Sequence, residues 1–136
     1  MHQSLPSITD IAIIPCSLLS SNIMEKHIAG IPIEIPSPLT SVEEYGNASC
    51  EAEQEYVNGS YSEHTVLQFR SKQDIRQFPA HAFIIKDAQG DTFLIGLREA
   101  PHPVLEVTEA IDKDTNIKSY KVTFIRRKSL IPCSVE

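Results

Sequence analysis

The sequence contains only three cysteines, Cys16, Cys50 and Cys133, among its 136 residues, and no two of them form a CxxC pair. An odd and widely spaced set is a poor framework for disulfides and a poor ligand set for zinc. A chain of this length can bury a core without such cross-links. We therefore expect no disulfide scaffold and no structural metal, and we expect Cys50 to pack as a small hydrophobic side chain.

The chain also lacks a long apolar run. The best candidate, IAIIPCSLL, follows Asp10, has no basic segment before it and is interrupted by Pro15. A bilayer span takes about 20 apolar residues, and a secretory signal begins with a basic segment. We therefore expect no signal peptide, no transmembrane segment and no membrane partner, and a protein that acts in the cytoplasm or in an assembly built there.

Basic residues are missing from the stretch between Lys26 and Arg70. That stretch holds Glu34, Glu43, Glu44, Glu51, Glu53, Glu55 and Glu63. The sign reverses near the C-terminus, with Lys113, Lys118, Lys121, Arg126, Arg127 and Lys128. The net charge of −6 argues against nucleic acid as a partner. The uneven distribution indicates either two solvated faces of one domain or two surfaces of opposite charge that bind other subunits.

The clearest structural signal is a hairpin from Ala48 to Phe69 around the sequence VNGS. Asn58 and Gly59 are the preferred pair for a two-residue type I′ turn, and that turn fixes the register of both strands. One side of the hairpin is then mostly apolar, and the other carries the glutamates at positions 51, 53 and 55. These glutamates would lie about 7 Å apart along the strand, too far for all three to bind one ion.

A second hairpin is indicated by KDAQGDTFLIG, in which Asp87 and Asp91 flank Gly90. The sequences AFII and TFLIGL on either side are short and rich in β-branched and aromatic residues, which favours strands. DAQG suits a type I turn with Gly90 in the left-handed conformation. Ala88 and Gln89 break the pattern of a calcium loop, and a phosphate-binding loop would need more glycines and a following helix. The stretch is predicted to be a turn.

The remaining segments complete a β-rich chain. A strand is predicted over residues 104–110, and KSYKVTFIRRK alternates apolar and polar residues as a further strand does. A short helix is predicted near residues 72–78, and the last residues, SLIPCSVE, are expected to fray or to add a short edge. ITDIAII is predicted to be a strand, IPIEIP an edge strand because of Pro32 and Pro36, and residues 37–47 a loop.

We therefore predict one mainly β domain over residues 1–136, an antiparallel β-sandwich or small barrel of about six to eight strands built from hairpins. Residues 48–133 form the hairpin-built core of this prediction. Residues 1–47 are its irregular N-terminal part, with one or two edge strands.

Motifs for catalysis are missing. No serine lies in a GxSxG-like elbow, no cysteine neighbours a histidine, and the histidines follow neither HxH nor HExxH spacing. His81 and His102 are predicted to have capping or packing roles. Tyr120 and Phe124 point away from Lys121 on a strand, which is a poor platform for stacking nucleic acid bases. We expect no catalytic, cofactor-binding or metal-binding residues, although a hydrolase site assembled in space remains an alternative.

The order HAFIIKDAQGDTFLIGLREAPHPVLEVTEA, a polar loop and SYKVTFIRRKSLIPC resembles small structural proteins of phage tails and tail-like or baseplate-like prophage regions, especially those of Bacteroidetes. The resemblance covers residues 80–133. The matching residues are Asp87, Gly90, Phe93 to Gly96, Pro101, Pro103, Tyr120, Val122, Thr123 and Phe124. It implies a compact β-domain that serves as a repeated virion or tail-assembly subunit without a cofactor.

We therefore expect a non-catalytic structural or assembly protein, not an enzyme, that is cytoplasmic or virion-associated and binds other protein subunits, copies of itself included. The candidate interaction residues are Glu51, Glu53 and Glu55 on the acidic side, and Lys121, Arg126, Arg127 and Lys128 on the basic side. Separate acidic and basic regions suit head-to-tail stacking of subunits. The alternative function is a β-barrel or β-sandwich module that binds a small ligand in a concave apolar site.

Overall fold

The structure is a computed structural model that describes residues 2–4, 8–35, 40–42, 48–72, 80–99, 102–108, 118–127 and 129–135. Its strands are β1 (His2–Ser4), β2 (Ile8–Pro15), β3 (Glu34–Ile35), β4 (Thr40–Val42), β5 (Ser49–Val57), β6 (Ser60–Ser71), β7 (His81–Asp87), β8 (Thr92–Ile95), β9 (Val104–Thr108), β10 (Lys118–Arg126), β11 (Ile131–Pro132) and β12 (Ser134–Val135). A 3₁₀ turn, Cys16–Leu18, and a short helix, α1 (Ile23–Ile28), follow β2.

Two antiparallel sheets of five strands pack face to face as a β-sandwich. Sheet A has the order β1-β5-β6-β10-β9, sheet B has the order β11-β8-β7-β2-β4, and β12 pairs with β3 in a small parallel ribbon. Phe69 of sheet A contacts Phe83 of sheet B, with ring centroids 6.3 Å apart, and stacks on Tyr120 at 5.2 Å. The prediction of a mainly β, antiparallel fold is confirmed.

The expected number of strands, about six to eight, was too low. The strands that were not predicted are short: β1 and β4 have three residues each, and β11 and β12, in a segment expected to fray or to add one short edge, have two each. A strand of two or three residues is too short to show the alternation from which a strand is recognised in sequence. Pairing between segments far apart in the chain, rather than local pattern, defines these strands.

The first hairpin has the predicted register. Val57 pairs with Ser60, and the pairing continues through Cys50 with Leu67. Asn58 and Gly59 have φ values of 53° and 80°, as a type I′ turn requires. The two tyrosines next to the turn face each other with ring centroids 4.7 Å apart, but both are mostly exposed. The predicted apolar side of this hairpin is therefore buried only away from its tip.

The second hairpin also has the predicted turn. β7 ends at Asp87, the N–H of Gly90 donates to the carbonyl of Asp87 at 3.1 Å, and Gly90 has a φ of 88°. The buried Asp87 side chain accepts hydrogen bonds from the N–H groups of Gln89 and Asp91, both at 3.0 Å. The first aspartate of KDAQGD thus organises a turn by an Asx-type interaction.

The N-terminal third differs from the prediction in several places. ITDIAII forms β2 as predicted, and β2 lies inside sheet B between β7 and β4. β4 falls within the predicted loop 37–47, where Val42 pairs with Ile11 of β2. Only Glu34–Ile35 of IPIEIP is a strand, and Ile31 is 51% exposed instead of sharing a buried side with its neighbours.

The helix predicted near residues 72–78 falls almost wholly on residues 73–79, which lie outside the described residues. The end of the strand predicted over 104–110 also lies outside them, and β9 is described from Val104 to Thr108. α1 was not predicted, because IMEKHI is too short to show a helical period.

Candidate interaction surface

The outer face of sheet A, which points away from sheet B, can be read from the strand register. Glu51 of β5 pairs with Val66 of β6, Val66 pairs with Thr123 of β10, and Thr123 pairs with Val104 of β9. The next residues on β5, β6 and β10, which are Ala52, Leu67 and Phe124, are buried in the core. Because successive side chains on a strand point to opposite faces, the row from Glu51 to Val104 lies on the outer face.

Three apolar side chains lie close together on this face. Ile125 and Val104 are 52% and 48% exposed, and Val66 is half-buried. Ile125 pairs with His64, the position two residues from Val66, which makes Ile125 a diagonal neighbour of both valines. We call Val66, Val104 and Ile125 the outer-sheet patch.

Charged residues border the outer-sheet patch on two sides. Glu51, Glu53 and Glu55 form an exposed acidic row on β5, and Lys121 is exposed on β10, where it pairs with the exposed Glu106 of β9. β6 lies between these strands, so the acidic row and Lys121 are two strand spacings apart, about 10 Å. The sequence indicated separate acidic and basic regions suited to head-to-tail stacking, whereas the fold places these charges on one face.

The strand register places neither Arg126 nor Arg127 on this face. Arg126 points to the inner side of sheet A, where its guanidinium donates to the carbonyl of Glu99 at 2.9 Å and lies 5.9 Å from the centre of the Phe124 ring. Arg127 is exposed just after β10. Lys128 lies outside the described residues. Of the four basic candidates, Lys121 is the one that the strand register places beside the outer-sheet patch.

The outer face of sheet A has the size of a protein interface. Its three longest strands have at least nine residues each, or about 30 Å, and its five strands span about 20 Å. The face therefore measures on the order of 600 Å², close to the roughly 800 Å² that each partner contributes to a standard interface. An apolar centre with a polar rim is also the usual composition of such an interface.

Glu63 is a buried carboxylate that the sequence reasoning missed. It is 4% exposed, and its Oε1 accepts hydrogen bonds from the backbone N–H groups of Ser129 and Leu130 at 2.9 and 2.7 Å. The Ser129 hydroxyl also lies within hydrogen-bonding distance of Glu63 Oε1 and of the Thr65 hydroxyl. Its burial could have been inferred from its position on the apolar side of the hairpin, two residues before Thr65. This carboxylate joins β6 to the segment that enters β11.

The cysteines are free thiols in protected surroundings. Burial raises the pKa of Cys16 to about 11, and the pKa values of Cys50 and Cys133 to about 12. Cys50 is buried as predicted. Thiols with such pKa values are protonated at neutral pH and are poor nucleophiles. This applies also to Cys16, although it lines a small pocket of about 240 Å³ together with Arg98 and His102.

Two kinds of feature are absent from the described parts of the chain. These parts contain no group of three or more His, Cys, Asp and Glu residues that could hold a metal ion. None of the helices in these parts is long and apolar enough to cross a membrane. The Nδ1 atoms of His81 and His102 are buried and have no hydrogen-bond partner among the described residues. Neither histidine therefore has an observed orienting partner of the kind that a catalytic base uses.

Comparison with protein-family models, curated proteins and solved structures finds no match to this chain. The resemblance of residues 80–133 to phage-tail proteins accordingly stays an expectation from their motifs. What is known of this chain comes from its sandwich fold, its outer-sheet patch and its buried polar contacts.

Proposed function

We propose that this protein is a non-catalytic assembly subunit that packs the outer face of sheet A against another subunit. The observation that carries the proposal is the outer-sheet patch of Val66, Val104 and Ile125, bordered by an acidic row on β5 and by Lys121 on β10. A role in a phage-tail or prophage assembly, as the resemblance of residues 80–133 implies, is the form of this function that we favour.

The first partner that we propose is a second copy of the chain. The acidic row and Lys121 lie on one face, separated across the strands by about 10 Å, so a twofold pair can bring opposite charges of two copies together. In such a pair, the acidic row of each copy lies near Lys121 of the other while the two apolar centres meet. Twofold dimers are the commonest symmetric oligomers, and their interfaces are formed by the same surface on both subunits.

Native mass tests this proposal. Light scattering behind size exclusion would be recorded over a concentration series at low and at high salt. We expect a species of twice the 15.2 kDa chain mass that gains population with concentration and loses some with salt. A 15.2 kDa monomer at every concentration, at both salt levels, would contradict self-association.

A further inference from the structure

A groove on the opposite side of the molecule has the properties of a small-molecule site. It lies on the outer face of sheet B, beneath the C-terminal segment that carries β12, and has a volume of about 720 Å³. Sites for small molecules commonly have about 300 to 1,000 Å³. The groove shares no residue with the outer-sheet patch, so ligand binding in the groove would be separate from the assembly proposed above.

The groove is polar along one row and apolar along the next. Asp10 of β2 pairs with Lys86 of β7, and Lys86 pairs with Thr92 of β8. Two residues further along, Ala12 pairs with Ile84. Because every second residue of a strand lies on the same face, the charged row and the apolar row are adjacent. All five of these residues line the groove.

Two further segments complete the groove. Residues 132–135, which include the exposed Val135, line the groove together with the apolar row. The turn between β7 and β8 contributes Gly90 and the exposed Asp91. The turn follows directly on Lys86 and precedes Thr92, so Asp91 belongs to the polar part of the groove. A ligand there would meet apolar side chains at one end and charges at the other.

The net charge of the groove indicates the charge of a ligand that would bind there. Asp10 and Lys86 are direct cross-strand partners, so their opposite charges offset each other. Asp91 adds a second carboxylate, which leaves the groove with a net negative charge. We propose that the groove binds a small amphipathic cation, an apolar ring or short chain that carries a protonated amine. The amine lies near Asp91, and the apolar part lies on Ala12 and Ile84.

Three probes of one shape and different charge test this proposal: 2-phenylethylammonium, 2-phenylethanol and phenylacetate. Each would be titrated into ¹⁵N-labelled protein while amide chemical shifts are followed. We expect the largest shifts in β2, in β7 and at residues 90–91 and 133–135. We also expect the ammonium probe to bind about threefold more tightly than the alcohol, as one exposed charge pair allows, and the phenylacetate to bind most weakly.

Two substitutions and one control assign the effect to the groove. Asp91→Asn should remove about the whole threefold preference for the ammonium probe, and Ala12→Leu should weaken all three probes by filling the apolar part. Glu25→Gln, an exposed substitution on α1, should preserve both affinity and preference. Thermal unfolding of each variant establishes that it is folded.

Several results would overturn the proposal. One is that phenylacetate binds more tightly than the other two probes. Another is that the chemical shift changes do not cluster at the groove. A third is that folded Asp91→Asn still prefers the ammonium probe. Absence of shifts with all three probes, at concentrations up to their solubility, would do the same. None of these results bears on the native mass of the protein, so the two proposals can fail independently.

Discussion

Oε1 of Glu63 lies 2.7 Å from the backbone nitrogen of Leu130, which donates a hydrogen bond to it. The Glu63 side chain comes from β6 of sheet A, and Leu130 directly precedes β11 of sheet B. One buried carboxylate therefore holds the C-terminal segment against the sandwich where the chain passes from one sheet to the other.

Replacing this carboxylate should destabilise the protein. Hydrogen bonds to a buried charged group contribute about 1.5 to 3 kcal/mol, and removing the acceptor leaves buried N–H groups without a partner. We expect Glu63→Ala to lower the free energy of unfolding by about 3 kcal/mol and Glu63→Gln by about 2 kcal/mol. Denaturant unfolding measures both. Glu25→Gln, an exposed control on α1, should change stability by less than about 0.5 kcal/mol.

The turn between β7 and β8 should depend on its first aspartate and not on its second. Asp87 is buried and accepts two backbone hydrogen bonds, whereas Asp91 is exposed. We expect Asp87→Ala to lower the free energy of unfolding by about 2 kcal/mol. Asp87→Asn should lower it by less, because the amide oxygen of asparagine still accepts hydrogen bonds. Equal effects of Asp87→Ala and Asp91→Ala in denaturant unfolding would contradict this account of the turn.

Alkaline stability should depend on Cys50. Burial, with smaller contributions from Glu51 and Glu63, raises the pKa of this thiol from 9.0 to about 12. Its contribution to stability is complete below pH 9 and is lost as the pH rises towards 12, because the unfolded chain ionises first. The free energy of unfolding should fall by about 1.4 kcal/mol per pH unit from this group. In Cys50→Ala the free energy of unfolding should decline less steeply above pH 9 than in the unchanged protein. Parallel curves of unfolding free energy against pH for the two proteins would contradict this role of Cys50.

Local rules account for the parts of the fold that could be predicted. The Asn58-Gly59 pair selects its own turn type, and the turn then fixes every pair in the β5–β6 hairpin. Asp87 and Gly90 likewise form the turn that joins β7 to β8. In both cases the residues that determine the structure lie within a few positions of each other.

The arrangement of the candidate surface depends on pairing between distant segments. β10 pairs with β6 over residues more than 45 positions apart, and this pairing puts Lys121 on the same face as Glu51 and Glu53. The sequence identifies the charged residues, but their relation to each other could not follow from local pattern. β4 is similar, because its three residues become a strand through pairing with β2.

Charge reversal tests whether the two sides of the outer-sheet patch meet in a dimer. In the proposed twofold arrangement, Glu53 of one copy lies near Lys121 of the other. We expect Glu53→Lys and Lys121→Glu each to weaken dimerisation by about fivefold to tenfold, and the double variant to recover most of it. Sedimentation velocity over a concentration series measures the dimer fraction. Additive losses in the double variant would exclude a direct interaction between these positions.

The most direct test of the assembly function is to place a charge at the centre of the outer-sheet patch. Ile125→Asp changes an apolar side chain that is 52% exposed, and Leu18→Asp is its matched control, at a position that is 62% exposed in the 3₁₀ turn. Sedimentation velocity on both variants and the unchanged protein gives the dimer fraction. We expect Ile125→Asp to be monomeric at concentrations where the unchanged protein and Leu18→Asp are dimeric. Dimerisation of Ile125→Asp equal to that of Leu18→Asp would contradict the proposed interface.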